Sequence, residues 1–588
     1  MQWLIKKLFI LFGLDIRSLA LLRIGTAILI IGECIHRVGD VFVFNSDAGI
    51  LPRTVLIDTF NNPWHISLNM ISGLWQVQML LVVLSFLFAC AMLVGWHTRI
   101  ATFASWLLLI SFQTRNPLIL QNSDTVLRMI LFWGLFLPLG ASASIDSLYR
   151  RTYTKLSATI LTPATFAFIF QIMMIYVFSA MFKTGPEWLT ERSAVYFALN
   201  AGGFVTPIGV WLSQYSALLP YLTRGVLLFE TWMPIFFFVP FRIQTVRTIL
   251  LLLAIGMHFA MGLTLELGLF SWVMIVAFLG LLPGGVWDTI ERVWRRHHKD
   301  CTLYFDAHCD FCNHTASLIS TFLFVPGLPV LPAQKNDEVM KYMEQKDSWV
   351  FVCNGIKYSK SKAFFMLAKH SPLFGLAAWL LDRAWLRSIS DRVYDWISGR
   401  RKKMCLNKTI IFPVSRRTRI VGIFAQIVVC VCFLYVVIWN ISTLPTSTIR
   451  IPASLQWVAQ VFRFDQKWDM FSPYPLKETG WFVIPGMLVS GQKVDVYTGG
   501  LISFEPPVLA SRTYKNYRWR KYLMNLVDIR YGQYRLYYGR YLCRQWNTGK
   551  DSERLLASFD IIYVRQITLP DGKKGAVDQI PLWHHRCF

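Results

Sequence analysis

Apolar runs of helical length recur along the first half of the chain, divided by short polar or basic stretches. Several approach the ~20 residues an α-helix needs to cross a bilayer. They predict eight spans near 19–35, 74–94, 100–112, 125–140, 160–182, 225–239, 248–265 and 269–282, the third and fourth short enough to be tilted or re-entrant. The pattern then changes. Between about 300 and 405, a strand-like run, Thr302-Leu303-Tyr304-Phe305, precedes a helical period over 314–323. A ninth apolar stretch at 420–439 restores the membrane pattern. Beyond it, alternating runs such as Lys493-Val494-Asp495-Val496-Tyr497 and turn signals such as Asp571-Gly572 predict a β-rich domain.

Composition supports a membrane chain. Of 588 residues, 54% are hydrophobic and 15% aromatic, and the mean hydropathy is +0.43. The apolar stretch in residues 1–14 has no small-residue cleavage site after it, so it does not read as a cleaved signal. A net charge of +25 would suggest nucleic acid on a soluble protein. No nucleic-acid motif accompanies it, and basic clusters beside spans are explained by orientation and anionic headgroups. Lys6, Lys7, Arg99, Arg150, Arg151, Lys155, Arg242 and Arg247 fall on one side of the predicted spans, with Arg292-Val293-Trp294-Arg295-Arg296-His297-His298-Lys299 after the eighth. A second basic stretch, Arg400-Arg401-Lys402-Lys403 with Arg416, Arg417 and Arg419, precedes the ninth. The positive-inside rule makes that side cytoplasmic, in a cell (inner) membrane. The insert is then cytoplasmic and the C-terminal segment extracytoplasmic.

The densest chemistry is Cys309-Asp310-Phe311-Cys312. Strand, Cys-x-x-Cys, helix is the order that puts the first thiol at a helix N-terminus, where unsatisfied N–H groups favour thiolate. The second thiol, one turn on, is placed to resolve a mixed disulfide. Half of a zinc site is the competing reading, with His308 and His314 nearby, but no second Cys-x-x-Cys exists. Inert thiols are the third, and no metal site is predicted.

Ionisable residues inside predicted spans are the next signal: Arg23 and Glu33, Glu230, His258 and Glu266. Such groups usually face a bundle interior in pairs, as a functional site or as a structural polar network. Asp124 and Arg128 read as an i,i+4 ion pair. Lys183 leaves the fifth span just before Gly185-Pro186-Glu187-Trp188. It either snorkels to headgroups or lies in an extracytoplasmic cavity with Glu187 as nearest partner. Cys90, Cys430 and Cys432 are intramembrane thiols that extend a relay or simply pack as small apolar groups. Eleven scattered cysteines exclude a disulfide scaffold. Cys543 and Cys587 are the pair in the segment placed outside, and they predict a disulfide tying the chain end to a strand through Tyr541-Leu542-Cys543.

Two resemblances add to this reading. Residues ~15–290 resemble the HTTM domain, a membrane module related to vitamin K-dependent γ-glutamyl carboxylase. The resemblance is carried by Asp15-Ile16-Arg17-Ser18-Leu19-Ala20-Leu21-Leu22-Arg23-Ile24-Gly25 and Ser46-Asp47-Ala48-Gly49-Ile50-Leu51-Pro52-Arg53. Further matches are Asn122-Ser123-Asp124, Pro138-Leu139-Gly140, and the stretch from Tyr176 through Lys183 to Trp188. Trp468-Asp469-Met470-Phe471-Ser472-Pro473-Tyr474-Pro475 resembles a signature after the last span of such proteins. Residues ~301–404 resemble the DCC family of thiol-disulfide oxidoreductases through Tyr304-Phe305-Asp306-Ala307-His308-Cys309-Asp310-Phe311-Cys312. Tyr358-Ser359-Lys360-Ser361-Lys362-Ala363 and Asp391-Arg392-Val393-Tyr394-Asp395 match as well. Ala307 stands where Gly is usual, Phe305 is an extra aromatic, and no proline precedes Trp349-Val350-Phe351-Val352, where thioredoxins place a cis-proline.

The expected architecture is a polytopic α-helical membrane protein with a thioredoxin-like α/β insert and a β-rich C-terminal extramembrane domain. Its parts are a multi-span domain (1–290), a dithiol domain (300–405), a last helix (416–441) and an extracytoplasmic domain (450–588). The leading function is a membrane-bound thiol-disulfide oxidoreductase in which Cys309 attacks and Cys312 resolves, with Asp306 and His308 beside them. The membrane domain would bind a lipid, or a quinone as cofactor, and the partner would be a thiol or disulfide protein rather than nucleic acid. The HTTM resemblance implies that Lys183 maps onto the carboxylase lysine. It keeps alive a second class: a lipid- or peptide-modifying or assembly protein whose dithiol domain is regulatory.

Overall fold

The computed structural model describes residues 2–588 apart from 61, 65, 149–157, 299, 309, 324, 326, 372–373, 407–421 and 571–572. Asp571-Gly572, Arg150, Arg151, Lys155, Lys299, Arg416, Arg417 and Arg419 therefore lie outside the described residues.

The first half is a helical bundle. It consists of α1 (Ile16–Val38), α2 (Trp75–Val94), α3 (Thr98–Arg115), α4 (Asn122–Gly134), α5 (Pro163–Phe182), α6 (Leu219–Phe236), α7 (Ile243–Thr264), α8 (Phe270–Leu279) and α9 (Gly284–His297). α1 starts where the Asp15 carboxylate accepts the Arg17 backbone N–H at 2.8 Å, an N-cap that satisfies one orphan donor. α5 starts with Thr162 as cap and Pro163 in its first turn, where a missing N–H costs nothing. α2 ends at Gly95 in the left-handed region (φ 69°). A Cβ there would meet the Arg23 guanidinium and Ser144, so the position needs glycine twice over. Leu19, Leu22, Trp133, Phe168, Ile172 and Phe278 fill the bundle core, all essentially solvent-free.

Helices stand at all nine predicted positions, but the nine expected spans shrink. α1, α2, α5, α7 and Ile423–Ser442 are long and apolar enough to cross a membrane, and α8 with α9, bent by 77°, makes a sixth if counted as one span. α4 and α8 have 13 and 10 residues. At 1.5 Å per residue they reach about 20 and 15 Å, short of a ~30 Å hydrocarbon core. α3 and α6 carry Ser105, Ser111, Gln113 and Arg115, and Arg224 and Glu230, which lower their hydropathy.

α9 leads into a four-stranded sheet. Its strands are β1 (Cys301–Phe305), β2 (Val330–Pro332), β3 (Val350–Cys353) and β4 (Ile356–Ser359), in the order β2-β1-β3-β4. β1 and β2 run parallel across α10 (Asp310–Phe322), the crossover a parallel pair requires. β1 and β3 pair antiparallel, and β3 turns into β4 through Asn354 and Gly355, both at positive φ (51° and 76°). α11 (Asp337–Lys346), α12 (Lys360–Lys369) and α13 (Ala384–Leu406) complete the insert. Its core is Leu303, Phe351, Ala363 and Leu367.

After α14 (Ile423–Ser442) comes the C-terminal domain. Its strands β5 (Glu478–Val483), β6 (Pro485–Leu488), β7 (Lys493–Asp495), β8 (Leu556–Thr568) and β9 (Lys574–Arg586) form one sheet, with β8 pairing β9, β6 and β5. Two helices, α15 (Tyr517–Val527) and α16 (Arg535–Asn547), are set between these strands in sequence. Cys543 lies on α16, not on the strand its apolar neighbours suggested. Tyr538, Tyr541 and Leu542 recur at helical spacing and bury one face against Trp519 and Tyr522.

The insert and the C-terminal domain sit at opposite ends of α1. The insert adjoins the end marked by Arg17, where α10 packs on a short helix, Ile145–Leu148. The C-terminal domain holds the other end through Glu33 and Asp40.

Candidate functional site

The dithiol segment begins where β1 stops. Asp306 Oδ1 accepts the His308 backbone N–H at 3.0 Å and the Gln334 side-chain amide at 2.8 Å. Gln334 Oε1 in turn accepts the Ala307 N–H at 3.3 Å. Asp306 and Gln334 thus staple the turn after β1 to the turn after β2, with Asp306 as the acceptor. His308 is exposed. Cys312 lies in the first turn of α10 and is half-buried. Cys309 lies outside the described residues, as do the side chains of Asp310, Phe311 and His314.

The two downstream stretches quoted from sequence meet here. Lys360 Nζ reaches Asp395 Oδ1 at 2.6 Å, and the Ser361 N–H donates to Asp391 Oδ1 at 3.1 Å. They tie α12 to α13.

Sequence reasoning missed a second cysteine pair. Cys301 and Cys353 face each other across β1 and β3 with Cα atoms 4.0 Å apart, and they are bonded as a disulfide. Fifty-two residues separate them, so only the strand register reveals the pairing. Among the described residues, their sulfurs and His370 form the one group of three metal-type donors, with all donor atoms within 4.8 Å of one another. Cys543 and Cys587 are also joined, with Cα atoms 5.6 Å apart.

In the bundle, Lys183 ends α5 and is buried at 4% exposure. Its ammonium donates to Ser179 Oγ at 2.7 Å and pairs with the Glu230 carboxylate from α6. Ser179 Oγ donates to the same carboxylate at 3.1 Å. Glu187, the partner expected from sequence, pairs with Lys477 instead. Gly185-Pro186 starts a new turn and carries Glu187 away from the amine. Tyr176 OH and His258 Nε2 lie 2.7 Å apart in the same region. A cavity of about 70 Å³ joins Tyr176, Ser179, Lys183, Glu230, His258 and Phe471. Met470 and Phe471 line its other side, with the Trp188 indole N–H donating to the Phe471 carbonyl at 2.9 Å.

The other ionisable and thiol residues of the predicted spans do not join this cluster. Arg23 donates to the backbone carbonyls of Leu139 and Ser142 at 3.3 and 3.4 Å, and to that of Ala143, which ties down a turn. Asp124 pairs with Arg518 at 3.1 Å and Arg128 with Asp465 at 3.3 Å, so the expected i,i+4 pair between them is replaced by two links to the C-terminal half. Glu266 lies beyond α7 and is 43% exposed. Cys90 and Cys432 are half-buried and Cys430 is exposed.

Set against known families, residues 303–406 match the DCC1-like thiol-disulfide oxidoreductase family. The match runs from β1 to the end of α13. No curated protein and no solved structure matches the chain.

Proposed function

We propose that this chain is a membrane-bound thiol-disulfide oxidoreductase working through Cys309 and Cys312. The observation that carries this reading is the family match over residues 303–406, within which a strand, Cys-x-x-Cys and a helix follow in order. The sheet order β2-β1-β3-β4, with a parallel crossover followed by an antiparallel hairpin, supports a thioredoxin-like insert. In the reaction, the Cys309 thiolate attacks one sulfur of a partner disulfide and the partner's other sulfur leaves as thiolate. The Cys312 thiolate then attacks Cys309 Sγ and expels the partner's second thiolate. The insert ends oxidised, and the partner gains two electrons and, from solvent, two protons. α10 supplies the N-terminal dipole that favours the attacking thiolate.

Differential alkylation tests this. Mild oxidation should convert Cys309 and Cys312 from two alkylated thiols to one disulfide, and Cys312→Ser should trap a mixed disulfide on Cys309. Thiols that stay reactive after oxidation would overturn the reading.

The bundle supports a second element of the proposal. A Lys183–Glu230 pair in a cavity closed by Met470 and Phe471 is the kind of buried ionic site that membrane proteins keep for function. It is the observation behind an HTTM-like, carboxylase-like role for residues 1–290, with a dithiol domain that regulates it. The cavity of about 70 Å³ holds a few waters, well under the roughly 300 Å³ of an ordinary small-molecule pocket. A quinone-like ligand would have to widen it. Lys183→Met without effect on activity would remove this element and leave the dithiol reading intact. Because the insert and the C-terminal domain hold opposite ends of α1, we place them on opposite membrane faces, the insert cytoplasmic. Reporters fused at Gly399 and Phe588 should give opposite sidedness.

A further inference from the structure

Part of the insert's sheet carries chemistry that the Cys309–Cys312 exchange does not use. Cys301 opens β1, Cys353 closes β3, and the antiparallel register sets them face to face. Both are buried, at 1% and 4% exposure. His370, just past α12, brings Nε2 to 3.5 Å from Cys353 Sγ. The tautomer of this imidazole is fixed from its other side. Nδ1 lies 2.6 Å from the Met366 carbonyl oxygen, which only accepts, so Nδ1 carries the hydrogen and Nε2 keeps its lone pair. A ligating histidine is normally held this way, with its N–H on a backbone carbonyl and its lone pair turned to the ion. The residue is also braced, since the Trp294 indole N–H donates to the His370 carbonyl at 2.8 Å. His298 stands edge-on to it at 4.8 Å between ring centroids, its own Nδ1 lying 2.9 Å from the Trp294 carbonyl oxygen.

We propose that, once the Cys301–Cys353 disulfide is reduced, Cys301, Cys353 and His370 bind a soft divalent cation of the zinc class. Two thiolates and one imidazole are a donor set such ions favour, and the three donor atoms already lie within 4.8 Å of one another. Water or His298 would complete a tetrahedron. The disulfide and the metal use the same two sulfurs, so each state excludes the other. Reduction by a phosphine consumes one water, yields two thiols and leaves a phosphine oxide. Metal binding then releases the two thiol protons to solvent. The site is independent of Cys309 and Cys312, and it stands whether or not those residues exchange disulfides.

The test uses the full chain in detergent, with Cys309→Ser and Cys312→Ser removing the other reactive pair. After phosphine reduction without oxygen, Co²⁺ should bind at one equivalent per chain, with thiolate-to-metal charge-transfer absorption and the intense visible bands of a tetrahedral ion. Zn²⁺ should displace it and protect Cys301 and Cys353 from alkylation, as read by peptide mass mapping. His370→Gln in the same background should weaken Co²⁺ binding by roughly tenfold or more and alter the visible bands. Cys353→Ser should abolish the charge-transfer band. The proposal is overturned if the reduced background protein takes up no stoichiometric Co²⁺, or if saturating Zn²⁺ leaves both cysteines alkylating at the metal-free rate. Alkylation protection in the background protein decides the matter even if Cys353→Ser does not fold.

Discussion

Arg518, on α15 of the C-terminal domain, donates from Nε to Glu33 Oε1 at 2.9 Å, inside the helical bundle and 485 residues away in sequence. Both side chains are buried, at 6% and 3% exposure. The guanidinium also reaches Asp124 at 3.1 Å, while Glu33 takes a second cation, Arg37, at 2.9 Å. The pairing with two carboxylates holds Arg518 firmly in its charged form despite its burial. Removing one partner of such a network leaves an uncompensated buried charge, which typically costs about 3–5 kcal/mol. Arg518→Leu should therefore loosen the C-terminal domain from the bundle, seen as a lower thermal midpoint and faster trypsin cleavage between residues 450 and 588. Arg518→Lys should fall between, since it keeps charge but loses the two-pronged geometry. Wild-type protease resistance in Arg518→Leu would mean the domain is held elsewhere.

That pair shows where the sequence was legible and where it was not. Apolar periodicity located α1, α2, α5, α7 and the later helices, because a helix signal is local. The Cys-x-x-Cys segment and the stretches around Lys360 and Asp395 were legible for the same reason. Partners were not. Proximity pairs Lys183 with Glu187, four residues on, whereas the structure gives it Glu230. The i,i+4 spacing pairs Asp124 with Arg128, whereas the structure gives each a partner hundreds of residues away. Cys301 and Cys353 needed a strand register to meet. For the two ion pairs, sequence proximity points to a near neighbour of opposite charge, and tertiary packing chooses a distant one; the cysteine pair has no local signal at all.

The Cys543–Cys587 bond spans 44 residues. It fastens the last residues to α16 beside the long β8–β9 ladder. In the chain-entropy treatment, closing a loop of that size stabilises by about 4 kcal/mol. Cys587→Ser should lose a comparable amount and expose the chain end to carboxypeptidase. Non-reducing peptide mapping of the wild type should give one cross-linked Cys543–Cys587 peptide. Two free thiols in protein from an oxidising compartment would refute the bond.

Lys183 and Glu230 should behave as a unit. Each alone is a charge in an apolar surround, so Lys183→Met and Glu230→Gln should each destabilise by about 3–5 kcal/mol. The double variant should cost clearly less than their sum, because it strands neither charge. Thermal unfolding in detergent supplies the cycle. Strict additivity would show that the two side chains do not stabilise one another.

Acid should weaken the C-terminal domain through His585. This residue sits on β9 opposite Phe559, and the Trp583 indole N–H donates to its Nδ1 at 3.2 Å. That bond requires an unprotonated Nδ1. Burial lowers the pKa of His585 below the ordinary 6.5, and the nearby Arg540 guanidinium pushes it the same way. The unfolded chain therefore takes up this proton at a higher pH than the folded domain does. Wherever the unfolded state binds more protons, stability rises with pH, so this contribution is complete above about 6.5 and is lost as pH falls toward the lowered folded value. His585→Gln keeps a hydrogen-bond acceptor for Trp583 and removes the titration. Between pH 7.5 and 5.5 the wild type should lose more thermal stability than His585→Gln, read by proteolysis of residues 450–588 at stepped temperature. Parallel pH profiles for the two proteins would assign the acid sensitivity to other groups.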